Sequence, residues 1–519
     1  MTLVQWFVFF LVVQIVHFAG TWKLYQKAGR QAWEAAIPIY NAIILMKIIN
    51  RPSWWTILLF VPIVNLIMFP VIWVETIRSF GKNSRLDTLL VLVTLGFYVY
   101  YINYTQNVTH IKDRSLVSTS KTGDTVSSFL FAIVVATVVH TYVMQPFTIP
   151  TSSLEKSLLV GDFLFVSKFH YGARVPMTTV AAPMVHDTLP FFKTKSYLSW
   201  PQLPYFRFPG FEKVEKNDIV VFNWPVDTVY RFFDYSGRKG VIKPIDKKSN
   251  YVKRCVGTPG DNLSIKNGDV YINNKKLILP ERAKPQYSYI VTTDGNGFDL
   301  DYLFKELKIT DPIYPYGNVP NTFIFSALTD ESASRLKNTS NVKSIVKNLS
   351  TAAEEKVFPF NTPWNKDNFG PIYIPQEGAT VAINSKNIAQ YSRIINVYEK
   401  NDLQVNGNEI RINGKVATNY TFKQNYYWMM GDNRHNSEDS RYWGYVPEDH
   451  IVGKPVFIWM SVDGINGPKR DWSVRWERVF TTVGGEGQPY SYFKFFLIAV
   501  AAYIGISFFL SRRKEQAEK

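Results

Sequence analysis

Gln145-Pro-Phe-Thr-Ile-Pro-Thr-Ser-Ser-Leu-Glu-Lys-Ser-Leu158 leaves an apolar run and enters Val160-Gly-Asp-Phe-Leu-Phe-Val-Ser-Lys168. Pro146 and Pro150 hold the backbone extended, because a proline fixes its own φ and drives its predecessor out of the helical region. Thr151, Ser152 and Ser153 are therefore presented just beyond a candidate membrane exit. Taken alone, such a cluster reads as a polar collar. Its meaning depends on what surrounds it.

Upstream and downstream, apolar runs dominate the two ends of the 519-residue chain. Five have the composition of spans or near-spans: residues 3–20, 54–74, 89–102, 126–143 and 493–510. A span needs about 20 apolar residues, so 89–102, short and rich in tyrosine, is the weakest of them. The formal net charge of +16 suits nucleic acid or an anionic membrane surface, and the apolar runs decide for the membrane. The first run has no basic leader and no small-x-small cleavage site, so it is expected to be retained. One cysteine, Cys255, excludes an internal disulfide framework.

Charge sets the orientation. The polar stretch 104–125 carries Lys112, Arg114 and Lys121, and the last run ends in Ser-Arg-Arg-Lys514. By the positive-inside bias both are cytoplasmic, which puts residues 145–490 outside. The segments 20–52 and 78–85 are basic as well. All three basic loops cannot be inside together if every apolar run spans, so the topology before residue 104 is left open.

The extramembrane region reads as β-structure: residues 218–223, 251–256 and 452–460 are β-branched or alternating and bounded by Gly, Pro, Asn and Asp. Residues 267–277 and 406–416 echo each other as hairpins with asparagine-centred turns. Helical pieces are expected near 301–307 and 331–349. The organisation that follows is a membrane region at 1–125 with two or three spans, a span at 126–144, and a β domain at 145–279 and 403–490. An inserted subdomain at 280–402 interrupts it, and a span with a basic tail at 491–519 ends the chain.

Two further stretches carry candidate chemistry. In Tyr251-Val-Lys-Arg-Cys-Val-Gly-Thr-Pro-Gly-Asp261, strand alternation puts Lys253 on one face with Tyr251 and Cys255. If that face is buried the amine loses its charge more readily and can serve as general base to a serine; if not, Lys253 is an ordinary exposed strand lysine. Met430-Gly-Asp-Asn-Arg-His-Asn-Ser-Glu-Asp-Ser-Arg441 packs acids, arginines and serines into a short loop, which is also what a structural turn held by Asp/Arg pairing looks like. The seven histidines are scattered, no His-Glu-x-x-His is present and no glycine-rich phosphate loop follows a strand, so neither metal nor cofactor is expected.

Together these stretches resemble the bacterial type I signal peptidases. The likeness covers most of 126–165, 212–277 and 403–460. The family's Ser-x-Ser-Met-x-Pro-Thr-Leu reads here Thr151-Ser-Ser-Leu-Glu-Lys-Ser-Leu158, its Lys-Arg-x-x-Gly-x-Pro-Gly-Asp runs from Lys253 to Asp261, and its Gly-Asp-Asn-x-x-x-Ser-x-Asp-Ser-Arg runs from Gly431 to Arg441. The resemblance implies a mainly β catalytic domain of antiparallel sheets attached to a multi-span α-helical membrane region, in the bacterial plasma membrane with the catalytic domain on the extracytoplasmic side. It implies a serine endopeptidase with Ser153 as nucleophile and Lys253 as general base. Ser437 would orient the amine, Asp439 and Arg441 would brace the loop, and the Thr151 hydroxyl with the Ser153 N–H would form the oxyanion hole. The expected partners are exported preproteins with small residues before the cleavage site and the lipid bilayer, not nucleic acid.

Four positions depart from the pattern: Ser152, Leu154, Lys156 and His435 stand where the family commonly has glycine, methionine, proline and an acid. Lys156 creates Ser153-Leu-Glu-Lys156, the Ser-x-x-Lys of penicillin-binding acyl transferases. Lys121-Thr-Gly and Ser385-Lys-Asn match that family's other motifs, in the wrong order. A third reading is a membrane-anchored β-rich scaffold that keeps the peptidase loops only as structure.

Overall fold

The computed structural model describes residues 1–117, 120–230, 237 and 239–517, without the side chains at 514, 515 and 517, so part of the basic tail lies outside the described residues. The chain forms two compact units. One comprises Met1–Met144, Ala173–Phe208 and Thr228–Lys248; the other comprises Gln145–Gly172, Pro209–Asp227 and Ser249–Lys519. Segments 173–208 and 228–248, which fall within the stretch expected to be β domain, thus belong to the unit built from the N-terminal helices.

In the first unit, α1 (Leu3–Lys27) opens with a capping box in which Thr2 and Gln5 satisfy each other's backbone N–H groups. Five short helices follow: α2 (Tyr40–Ile48), α3 (Trp55–Leu58), α4 (Asn65–Ser79), α5 (Arg85–Val93) and α6 (Tyr98–Thr105). The run 54–74 is not one spanning helix. It breaks between α3 and α4, where Pro62 lacks an N–H and Ile63 sits at φ 70°. The run 89–102 does not span straight either, because α5 and α6 are bent by 117°. Leu95 and Gly96, both at positive φ, reverse the chain there, and a Cβ on Gly96 would lie 2.7 Å from the Trp73 ring.

Both ends of that bent pair reach the same place. Lys82, before α5, donates to the Gln106 side chain (3.0 Å), and Lys27, at the end of α1, donates to the Gln106 carbonyl (2.9 Å). Nearby, Glu75 takes ion pairs from Arg51 (3.0 Å) and Arg114 (2.5 Å), and the Ile111 N–H donates to the Ser79 carbonyl. The three basic loops therefore gather at one end of the unit. Toward the other end of α1, roughly 32 Å from Lys27 by helix rise, the Trp6 indole donates to the Gln202 carbonyl (2.9 Å).

Three helices among the described residues are long and apolar enough to cross a membrane: Leu3–Lys27, Lys121–Val143 and Phe493–Arg513. The first two are in the first unit and the last is in the second.

The second unit is built on a large antiparallel sheet. Its strands run in the order Met144–Thr148, Asp162–Ser167, Ile451–Asp463, Ile219–Asn223, Asn250–Gly257, Tyr426–Met430 and Val446–Pro447. The three strands read from sequence are all present, in register with Val220 opposite Lys253 and Met430 opposite Arg254. Both echoing segments form meanders, with Asn267 and Gly268 at positive φ in one turn and Asn413 and Gly414 in another, as type I′ hairpins require. A core of Val256, Leu263, Phe358, Ile394, Trp428 and Tyr445 lies beneath.

Of residues 280–402, only 286–347 builds a sheet of its own, the four strands Val342–Lys347, Gln286–Thr293, Thr322–Thr329 and Ile313–Pro315 around Val291, Leu303, Phe325 and Leu336. Phe369–Tyr373 pairs instead with Asn262–Lys266, and Thr380–Ala382 with Asn419–Thr421, so that part is integral to the β domain. The helix expected over 331–349 ends at Lys337. Its second half is the strand Val342–Lys347, where β-branched residues favour a pleated surface.

Candidate active site

The edge strand Met144–Thr148 carries the chain into a single 3₁₀ turn, Ser152–Leu154, anchored by Leu154, which is buried with Ile149, Leu158 and Leu164. The turn stops because Glu155 returns to extended backbone and Lys156 sits at φ 71°. As first-turn donors, the N–H groups of Ser152 and Ser153 have no acceptor within that turn. Thr151 is its N-cap, exposed and with its hydroxyl outside the cap.

Lys253 arrives from the Asn250–Gly257 strand. Its Nζ lies 2.6 Å from Ser153 Oγ and 5.3 Å from the centre of the Tyr251 ring, and the residue is 3 % exposed. Burial pushes its pKa down to about 8, with Asp439 and Glu438 working in the opposite direction. The amine is thus held against the hydroxyl in an environment that favours its neutral form. Arg254, on the other face, is buried too and clamps Asp432 through two hydrogen bonds (2.8 and 2.6 Å); Asp432 also accepts from Ser157 Oγ (2.6 Å). Sequence reasoning did not assign this pair a role. The adjacent Lys-Arg and Gly-Asp in the two motifs are the signal for it.

The loop after Tyr426–Met430 closes the site. Asp439 caps the short helix Ser440–Trp443 and accepts from the Gly431 N–H (3.1 Å) and from Arg441 Nε and Nη2 (2.9 and 2.8 Å). Arg441 also donates to the Arg434 carbonyl (2.6 Å). Burial opposes the charge on Asp439, yet Arg441 holds its carboxyl below the usual carboxylate range. Gly431 passes so close to the Ser152–Leu154 turn that a Cβ there would lie 2.2 Å from Ser437 Oγ and 2.5 Å from the Ser153 carbonyl. Ser437 Oγ is buried beside this contact and has no hydrogen-bond partner among the described residues. The bond expected from Ser437 to the lysine amine is not made here.

Two of the departures have structural explanations. His435 bridges the inserted sheet to the β domain: its Nδ1 accepts from the Ser288 N–H (2.9 Å), which leaves Nε2 protonated and facing Asp367 Oδ1 (2.7 Å). Lys156 donates to the Lys308 carbonyl. The Ser-x-x-Lys geometry of the acyl-transferase reading therefore does not form, since it needs a helical turn that continues through Lys156.

A serine hydroxyl in contact with a buried amine is an arrangement in which a lysine can activate a nucleophile without histidine. The family model described as "Signal peptidase, peptidase S26" matches residues 122–341 and 373–460, and the chain belongs to that family. Its relatives include proteins named Signal peptidase I from Helicobacter pylori (26 % identical, covering 69 % of this chain and 92 % of the relative) and from Buchnera aphidicola of Acyrthosiphon pisum (25 %, 65 % and 74 %). That of Haemophilus influenzae is 24 % identical over 70 % of this chain and 76 % of its own length. Residues 33–113 match a second model, a family of unknown function.

Proposed function

We propose that the protein removes signal peptides from exported preproteins, with Ser153 as nucleophile and Lys253 as its general base. The 2.6 Å contact between Ser153 Oγ and a buried Lys253 Nζ carries this reading. The neutral amine takes the hydroxyl proton as Oγ attacks the scissile carbonyl. The Ser153 N–H and the Thr151 hydroxyl stabilise the oxyanion, and the protonated amine then gives its proton to the leaving amine. Water, deprotonated by the same lysine, hydrolyses the acyl-enzyme. Ser437 orients the amine once substrate has closed the site, and Asp439 with Arg441 keeps the loop in place.

The substrate lies extended along the Met144–Thr148 strand, which has a free edge among the described residues and leads directly into Ser153. Small residues before the scissile bond let its backbone approach that edge. The enzyme sits in the bacterial plasma membrane as a multi-pass protein with residues 145–490 on the extracytoplasmic side. Because Trp6 is bonded to Gln202, the N-terminal end of α1 is outside too. The bent pair α5–α6 enters from the cytoplasm and returns to it, which lets all three basic loops obey the positive-inside bias.

Cleavage of a preprotein by the wild type in detergent, set against Ser153→Ala, tests the assignment. The variant is expected to be inactive. Retained cleavage would leave Ser153 without a role.

A further inference from the structure

The segment 286–347 grips the nucleophile turn. Gln286 donates its backbone N–H to the Asp432 carbonyl (2.8 Å) and accepts from the Arg434 N–H (2.9 Å), while its side chain donates to the Glu155 carbonyl (3.0 Å). Lys308 offers its carbonyl to Lys156. Between these anchors stands Asp311, just before the strand Ile313–Pro315 and 8 % exposed.

Its two oxygens are used by two asparagines of the catalytic loop. Asn436 Nδ2 donates to Oδ1 (2.9 Å) and also to Ser152 Oγ (3.1 Å). Asn433 Nδ2 donates to Oδ2 (3.4 Å) and also to the Ser152 carbonyl (3.2 Å), while the Asn433 backbone N–H donates to the Ser153 carbonyl (3.1 Å). Each amide thus spends one N–H on Asp311 and the other on the residue before the nucleophile. Asp311 forms no ion pair among the described residues. Its hydrogen bonds come from neutral amides, and the Lys156 charge only partly offsets the cost of its burial, so this carboxylate is a poor way to gain stability. Its oxygens do, however, fix which way both amides point, and those amides fix Ser152.

We infer that Asp311, contributed by the inserted sheet, is a positioning residue for Ser153: it aligns Asn433 and Asn436, which set the 3₁₀ turn bearing the nucleophile. The inference rests on the reading of Ser153 as nucleophile. Displacing a reacting group by about 1 Å costs on the order of 100-fold in rate, so loss of this clamp is expected to lower kcat by about 10- to 100-fold. Substrate binding along the edge strand is untouched, so KM stays unchanged.

The test measures kcat, KM and thermal unfolding for Asp311→Ala, Asn436→Ala and the double variant in the full chain. The expected result is a fall in kcat at constant KM in both single variants, unfolding within a few degrees of wild type, and a double variant no slower than the slower single one. The lower pH limb set by Lys253 stays in place. Asp311→Asn, which keeps one acceptor, falls between wild type and Asp311→Ala, and it carries the test if the alanine variant does not fold. Wild-type kcat in a folded Asp311 variant, additive losses, or a loss restored by cooling would each overturn the inference. Cleavage retained by Ser153→Ala would instead refute the nucleophile reading itself, and cleavage retained by Lys253→Ala the assignment of the base, whatever Asp311 does.

Discussion

Replacing Lys253 by methionine separates catalysis from stability. An ordinary lysine, with a pKa near 10.4, is neutral in roughly one molecule in 2,500 at pH 7. With its pKa lowered to about 8 by burial, about one Lys253 in ten is neutral at that pH, a gain on the order of 200-fold in competent base. The lower limb of kcat/KM against pH should therefore rise through about 8. The same shift costs stability. Between the folded pKa and the unfolded one the unfolded chain binds more protons, so stability rises with pH over that window, and below about 8 the cost is present in full. At 1.36 kcal/mol per unit, that cost is about 3 kcal/mol at pH 7. Lys253→Met is expected to abolish preprotein cleavage while unfolding at a higher temperature than wild type at pH 7, with the gap closing as pH rises toward 10. Lys156→Ala should leave most activity, because its ammonium is engaged at Lys308. A limb near 10, an active Lys253→Met, or an inactive Lys156→Ala would refute the reasoning.

Thr151→Val should lower kcat by about 100- to 1000-fold with little change in KM, and Thr151→Ser should restore most of it, as measured on a signal-peptide substrate. Asp439→Ala leaves Arg441 buried and unpaired, which is expected to cost about 3–5 kcal/mol in thermal or denaturant unfolding; wild-type stability with abolished cleavage would contradict a bracing role. Gly431→Ala forces a Cβ against Ser437 and the Ser153 carbonyl, so its cleavage rate should fall far more than its unfolding temperature. In a Cys255→Ser background, single cysteines at Leu3 and Leu198 should react with an impermeant thiol reagent in intact cells, and those at Arg85 and Val117 should not; labelling at Arg85 would contradict the returning path of α5–α6.

The sequence by itself determined those features whose physics is local. Prolines 146 and 150 dictate the extended approach to Thr151, Ser152 and Ser153, period-two patterning marks the Asn250–Gly257 and Ile451–Asp463 strands, and Asn-Gly pairs define the hairpin turns. Apolar length marks the first, fourth and last runs as candidate membrane helices, and the structure forms a long apolar helix at each. The catalytic loop motif was legible because its glycine, acids and arginine must all sit within one short turn.

Tertiary structure decided the rest, where the outcome depends on what a segment meets at long range. Whether Lys253 is an exposed strand lysine or a buried amine turns on Ser153 and Tyr251 packing over it, and alternation alone cannot supply a partner 100 residues away. Hydropathy does not distinguish a straight span from a helix pair bent by 117° at Leu95 and Gly96, because both present the same apolar residues; Lys82 and Lys27 both bonding Gln106 is what supports the proposed returning path. An inserted subdomain read as 280–402 takes in Phe369–Tyr373, because that strand carries no mark in its own sequence of Asn262–Lys266, with which it pairs. His435 and Asp311 gain their roles only from contacts across the boundary between insertion and catalytic loop, since a lone histidine or aspartate in a polar loop has no local constraint on its partner.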